Sequence, residues 1–191
     1  MHFFVCGTHT CGKTSIIKRL VAEGVIKFGG DEIGKRLYYQ RTVQTDKCDS
    51  DFEAEVTQME SLRDHEVITH YSGKPVVLET WHPGNLAYAM KRTPAAASSI
   101  IKAYESSPLR DSIRGIWLHL STPEKTIAER TQTFKDDPDF AVSFYSPMQG
   151  LIGDALHAMG LIDRTIKISA DGTQEEVYQA VKQVVLQAQG A

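Results

Sequence analysis

The stretch Gly7-Thr8-His9-Thr10-Cys11-Gly12-Lys13-Thr14 fits the phosphate-binding P-loop pattern G-x-x-x-x-G-K-[ST] without a mismatch. It constrains the fold more than any other part of the chain, because the pattern works only between a strand and a helix. Both flanks comply. His2-Phe3-Phe4-Val5-Cys6 is a short apolar run that reads as a buried strand. After the loop, Ile16, Ile17, Leu20 and Val21 recur at helical spacing, with Lys18 and Arg19 on the other side. Gly7 and Gly12 allow torsions and close approaches that a β-carbon blocks. The loop amides then converge on phosphate oxygens at the positive end of the helix. The whole loop is therefore the candidate nucleotide cradle: Gly7, Thr8, His9, Thr10, Cys11, Gly12, Lys13 and Thr14. Lys13, expected at the loop rim, is assigned to the β- and γ-phosphates, and the Thr14 hydroxyl to Mg²⁺.

A chain of 191 residues accommodates one domain with a real core, here residues 1–191. A net charge of −3 argues against nucleic-acid binding, and the basic pairs Lys18-Arg19, Lys35-Arg36 and Lys91-Arg92 are scattered rather than massed. The three cysteines, Cys6, Cys11 and Cys48, form no Cys-x-x-Cys pair and suit a reducing compartment. His65 and His70 lie five apart, off the helical zinc spacing. A strand beginning at residue 2 leaves no room for a signal peptide, and no apolar run approaches membrane-spanning length. The expected location is cytoplasmic.

Further along, Val25-Ile26-Lys27-Phe28 reads as a second strand ending in Gly29-Gly30-Asp31-Glu32. This puts two carboxylates at the sheet edge where open α/β folds bind ligands. Ile33 to Tyr39 reads as helix and Arg41 to Cys48 as polar loop. Ser50-Asp51-Phe52-Glu53 reads as a capping box for a longer helix with Phe52, Val56, Met59 and Leu62 inward. Pro75-Val76-Val77-Leu78-Glu79 is a third, buried parallel strand that closes on Glu79 and then Thr80-Trp81-His82-Pro83-Gly84-Asn85. Thr93-Pro94 opens another helical region. Gly115-Ile116-Trp117-Leu118-His119-Leu120 is a fourth strand, with a helix from Ser121-Thr122-Pro123-Glu124 to Arg130. The stretch 133–150 reads as loop, broken at Pro138 and Pro147. Thr165-Ile166-Lys167-Ile168 is a fifth strand, and Thr173-Gln174-Glu175-Glu176 caps a last helix with Val177, Val181, Val184 and Val185 inward. The fold class is α/β, a doubly wound parallel sheet of five strands with helices on both faces.

On these residues the chain resembles the P-loop small-molecule kinases, nearest to nucleoside and nucleotide kinases of the thymidylate kinase and deoxynucleoside kinase type. The resemblance implies a three-layer P-loop NTPase fold with a short lid, about residues 130–150. It further implies phosphoryl transfer from ATP with Mg²⁺ to a small-molecule acceptor, a nucleoside or nucleotide. In those families an acidic residue near the end of the second strand faces the acceptor hydroxyl; Asp31 matches by position and Glu32 comes second. A carboxylate ending the third strand helps hold Mg²⁺, and Glu79 matches, although Thr80 stands where an arginine usually follows. The lid's cations reduce to Arg130 and Lys135. The loop Ser169-Ala170-Asp171-Gly172, with Ala170, corresponds to the segment around the adenine. The expected partners are ATP and the acceptor, with a homodimer open and with neither nucleic acid nor membrane.

Each assignment has a plainer reading beside it. Asp31 also suits a helix N-cap, and Arg130 also complements a helix dipole. Trp81 and Tyr38 suit base stacking or core, and His82 a loop. Glu79 ends an otherwise apolar strand, where a structural reason for charge is lacking. Two other classes compete. Asp31-Glu32-Ile33-Gly34 spells the D-x-x-G of a GTPase switch, but it follows the P-loop too closely, and no N-K-x-D occurs. A nucleotide-sensing regulatory ATPase without an acceptor is favoured over the GTPase by the charge-poor lid.

Overall fold

The computed structural model describes residues 1–41, 49–131 and 137–189. Strand β1 (His2–Gly7) runs through the glycine loop into α1 (Lys13–Ala22), followed by β2 (Phe28–Gly30), α2 (Ile33–Gln40) and the long α3 (Ser50–Tyr71). Next come β3 (Val76–Glu79), α4 (Trp81–Arg92), a 3₁₀ turn (Pro94–Ala96), α5 (Ala97–Glu105) and β4 (Ile113–His119). Helices α6 (Pro123–Thr131), α7 (Pro138–Tyr145) and α8 (Met148–Ala158) precede a second 3₁₀ turn (Ile162–Arg164), β5 (Thr165–Ser169) and α9 (Gln174–Gln189).

The strands are all parallel, in the order β2-β3-β1-β4-β5. The period of two along β1 divides the core. Phe3 and Val5 face α1 and α9 with Ile16, Ile17, Leu20, Val177 and Val181. Phe4 and Cys6 face the opposite layer with Trp81, Leu86, Ile100 and Ile152. Alternate side chains thus bury against helices on both faces, which is why the strand reads as continuously apolar. Because β1 is central, the glycine loop leaves from the middle of the sheet, flanked by the ends of β3 and β4; Val5 pairs with Glu79 and Gly7 with Leu118.

Several local expectations are corrected. Strand β2 starts at Phe28 rather than Val25, because the amides of Val25 and Ile26 turn back to the Leu20 carbonyl and their side chains pack under α1. The glycines of β2 let that helix approach: a β-carbon on Gly29 would stand 2.5 Å from the Ile17 methyl. The N-cap of α3 is Asp49, whose carboxylate accepts from the Phe52 amide at 2.8 Å, and Ser50 is the first helical residue. The inward face of α3 is not the expected apolar stripe. Leu62 is 52% exposed, while Glu53, Glu60, Arg63 and Asp64 are buried beside Phe52, Val56 and Val67.

The segment after Thr80 is already helix α4, since Pro83 falls within the first turn, where its missing N–H costs nothing. The stretch 133–150 is not a loop in its described part, 137–150. Asp137 N-caps α7 by accepting from the Asp139 amide at 3.0 Å, with Pro138 at the first helical position. Pro138 starts a helix there instead of breaking one, and α8 follows Pro147 and packs on α4. The capping box of α9 forms as expected. The Thr173 amide donates to Glu176 at 2.8 Å and the Glu176 amide to the Thr173 hydroxyl at 3.3 Å. Lys135, Cys48 and the polar loop over 42–48 lie outside the described residues.

Candidate active site

Two glycines shape the loop for different reasons. Gly12 holds φ 92° as the residue before α1, a left-handed value that L side chains resist. A β-carbon on Gly7 would stand 2.7 Å from both the Leu118 carbonyl and Cys11 Sγ. The loop is tied down over its first half. The Thr8 hydroxyl donates to the Tyr145 carbonyl at 2.7 Å, and the His9 ring stacks on Tyr145 at 4.5 Å. Arg130 donates to the Thr10 carbonyl at 3.1 Å and to the Ala170 carbonyl at 2.8 Å. The first amides of α1 have no partner within the helix and point toward the loop.

Lys13 is not at an open rim. It is 7% exposed, and its ammonium donates to the carbonyls of Gly7 at 3.0 Å and Thr8 at 3.3 Å. Burial opposes its charge, yet its surroundings, with Glu32 and Glu79 as the nearby carboxylates, outweigh burial and raise its pKa. The cation is held ready at the loop. Next to it, the Thr14 hydroxyl donates to Glu79 Oε1 at 2.7 Å. Burial raises the Glu79 pKa, nearby Glu32 adds to the rise, and Lys13 and the Thr14 hydrogen bond oppose it. Cys11 is buried, and burial pushes its thiol up, so it fills space without offering a nucleophile.

These groups open onto a cavity of about 960 Å³, large enough for two small molecules end to end. Its near half is lined by His9 to Ser15, Arg130, Gly172, Thr173, Gln174 and Val177. Its far half is lined by Glu32, Lys35, Tyr38, Tyr39, Val56, Asn85, Tyr88 and Arg92. Phe140, Ala141, Phe144 and Tyr145 of α7 form one further wall.

Thus Lys13, Thr14, Glu79 and Arg130 come together around the cavity, as do His9, Thr10, Cys11 and Gly12. Gly7 and Thr8 are buried beneath it. Ala170 is fully buried and does not line it, because Arg130 holds its carbonyl inward; Gly172 and Thr173 present that loop instead. Of the two carboxylates after β2, Glu32 lines the main cavity. Asp31 lines a side cleft of about 290 Å³ beside Thr14 and Glu79. Trp81 is core at 0% exposure, His82 is equally buried, and Tyr38 is on the cavity wall.

The sequence reading missed the far half's cations and the polar layer behind it. Arg92 donates to Glu53 Oε1 at 2.9 and 3.1 Å and reaches the cavity from the end of α4. Asn85 donates to Glu60 at 2.9 Å; Glu60 also pairs with Arg63, which donates to the Asp31 carbonyl at 2.6 Å. The signal lay in the charges at 53, 60, 63 and 64, which share the helical stripe of Phe52, Val56 and Val67. Thr80 and Trp81, directly after Glu79, hold φ of 71° and 52°. Such backbone costs about 1–3 kcal/mol per residue and gathers at functional sites.

A metal at this place would have hard oxygen donors. Among the described residues no group of three or more His, Cys, Asp or Glu forms a metal cage. One hydroxyl and one carboxylate 2.7 Å apart suit Mg²⁺, which keeps waters and takes its other ligands from a phosphate chain.

The sheet order, the glycine loop at its centre and the cavity at the strand ends together define the three-layer P-loop fold. No protein-family model matches the chain, and no curated protein matches it in sequence. Solved structures do match in fold. The chain is similar to the NadR protein in complex with NR, with a TM-score of 0.70 and 14% identity, over 100% of this chain and 50% of that one. It therefore spans half the length of that relative. It is also similar to deoxyadenosine kinase from M. mycoides with bound dCTP, with a TM-score of 0.60 and 12% identity, over 98% of this chain and 100% of that one. The same kinase with its products dCMP and dCDP gives a TM-score of 0.64 at 10% identity. Among the described residues no helix is long and apolar enough to cross a membrane.

Proposed function

We propose that this protein is an ATP- and Mg²⁺-dependent phosphotransferase that moves the γ-phosphoryl group to a hydroxyl or phosphate of a small molecule, a nucleoside or a nucleotide. The observation that carries the reading is the Thr14–Glu79 hydrogen bond where the glycine loop enters α1, on the wall of a cavity that also takes in Glu32, Tyr38, Tyr88 and Arg92. The fold likeness to deoxyadenosine kinase, and to the NadR protein also solved with NAD and AMP-PNP, supports it.

Phosphoryl transfer needs positioning and charge neutralisation more than covalent chemistry from the protein. The loop amides and the Lys13 ammonium hold the transferable phosphates. Thr14 and Glu79 would hold Mg²⁺, which when bound would neutralise charge on the transferred phosphate. Glu32, facing the cavity, accepts the proton of the acceptor hydroxyl, with Asp31 in the adjoining cleft as the other carboxylate. Arg130 fastens the glycine loop to the loop after β5 beside the nucleotide. In the far half, Tyr38 and Tyr88 offer aromatic surface. Lys35 and Arg92 offer the cations that a phosphorylated acceptor requires.

A regulatory ATPase without an acceptor is the second reading. It is favoured by α7, which carries no Lys or Arg, and by the commitment of Arg130 to backbone carbonyls. A panel of nucleosides and their monophosphates incubated with γ-labelled ATP separates the two. A labelled acceptor is expected; hydrolysis of ATP with no labelled acceptor leaves the ATPase standing.

A further inference from the structure

The turn after Glu79 is held from outside the cavity. Thr80 sits at φ 71° and ψ −60° and Trp81 at φ 52°, conformations that β-branched and bulky residues keep only when their surroundings over-determine them. The Thr80 amide donates to the Val5 carbonyl at 2.9 Å and the Trp81 ring packs on Phe4 and Tyr104, while the polar side-chain ties of the turn converge on one carboxylate. The Trp81 indole Nε1 donates to Asp64 Oδ1 at 2.9 Å, His82 Nε2 lies 3.0 Å from Asp64 Oδ2, and the Ser107 hydroxyl donates to the same oxygen. Asp64, Trp81 and His82 are all at 0% exposure, so water cannot replace a lost partner. On the other side, the Thr80 methyl occupies the space above Gly84, where a β-carbon would stand 2.4 Å from it. Asp64 itself lines no part of the cavity.

We propose that Asp64 is a positioning residue. It clamps the strained Thr80–Trp81 turn through the first residues of α4 and thereby fixes the Glu79 carboxylate against the Thr14 hydroxyl. A turn that relaxed at Thr80 would swing the end of β3 and carry Glu79 away from its partner. The inference rests on reading Thr14 and Glu79 as the oxygen donors for Mg²⁺.

The test compares Asp64→Asn and Trp81→Phe with the same variants carrying Thr80→Gly. Glycine adopts a φ near +71° without steric cost, so the strain at residue 80 that the clamp opposes is removed. Crystal structures read the Thr14–Glu79 separation whatever the activity, and ATP titrations at varied Mg²⁺ read its consequence. In each single variant, Thr80 is expected to leave the left-handed region and the Thr14–Glu79 hydrogen bond to break. The Mg²⁺ concentration for half-maximal ATP binding is expected to rise about 10-fold, the lower end for loss of an outer partner of a metal ligand. Thr80→Gly is expected to restore both. Single variants that keep the hydrogen bond, or double variants as impaired as the single ones, overturn the proposal. Should wild type bind ATP without regard to Mg²⁺, the functional reading fails, and the crystallographic comparison still decides this one. Trp81→Phe removes the indole N–H with one of its two rings and keeps an aromatic ring in the core and the Asp64 charge in place, so it carries the comparison if Asp64→Asn does not fold.

Discussion

Replacing Lys13 with alanine is expected to weaken both the fold and nucleotide binding. The sequence alone places this side chain at a rim with nothing to lose, which predicts an unchanged melting temperature. In the structure its ammonium is 7% exposed and donates to two carbonyls, at 3.0 and 3.3 Å. A hydrogen bond to a charged group contributes about 1.5–3 kcal/mol, and the longer bond adds little to the shorter. Removing a buried charge also relieves its desolvation, which trims the loss. The net cost is about 1–3 kcal/mol, and at about 2–4 °C per kcal/mol for a chain of this size the melting temperature should drop by roughly 3–10 °C. ATP should lose more. Truncating one side of a desolvated charge pair costs about 2–5 kcal/mol, so affinity should fall on the order of 100-fold. Scanning calorimetry of the apo protein and titration calorimetry with ATP–Mg²⁺ measure the two effects separately. A variant that melts with wild type refutes the role of the carbonyl contacts, and one that binds ATP equally refutes the phosphate role.

Glu32→Gln should slow phosphoryl transfer by roughly 10²–10⁴-fold, the usual share of general acid–base catalysis, and Asp31→Asn by less, because only Glu32 lines the main cavity. Single-turnover rates of both variants check the order; a reversed order assigns the base to Asp31, and equal losses refute Glu32 as the one base. Glu79→Gln should raise the Mg²⁺ requirement for ATP binding. Because burial raises the Glu79 pKa, the fold favours its protonated form, and that contribution is present below about pH 4.5 and lost as pH rises through the folded pKa. Glu79→Gln should therefore flatten part of the decline in apo melting temperature from pH 4.5 to 8. Buried Glu53 and Glu60, also raised, keep the remainder. An identical pH profile for variant and wild type would show that Glu79 contributes nothing to the decline.

Much of this protein is legible along the chain because the physics involved is local. The order of strands and helices follows from apolar periodicity, the glycine loop from a spacing of eight residues, and the cap of α9 from Thr173 and Glu176. The alternation of Phe3 and Val5 with Phe4 and Cys6 already implies a sheet covered on both faces. Glu79 stands out because a charge ending an apolar strand asks for a reason. What only the tertiary structure decided are matters of direction and of long-range neighbours. Asp31 and Glu32 are adjacent in sequence, and one backbone step sends the first into a side cleft and the second into the cavity. Arg92 joins the site from 13 residues past Glu79 because α4 carries it back over the cavity, a placement set by how the helix packs. Asp64 meets Trp81 and His82 across 17 and 18 residues. Helical periodicity ranks a charged residue as outward, whereas a buried carboxylate is tolerated wherever another element supplies its donors. Those donors sit on α4 and after α5, so the stripe shared with Phe52, Val56 and Val67 marks these charges on α3 without naming the partners that let them turn inward.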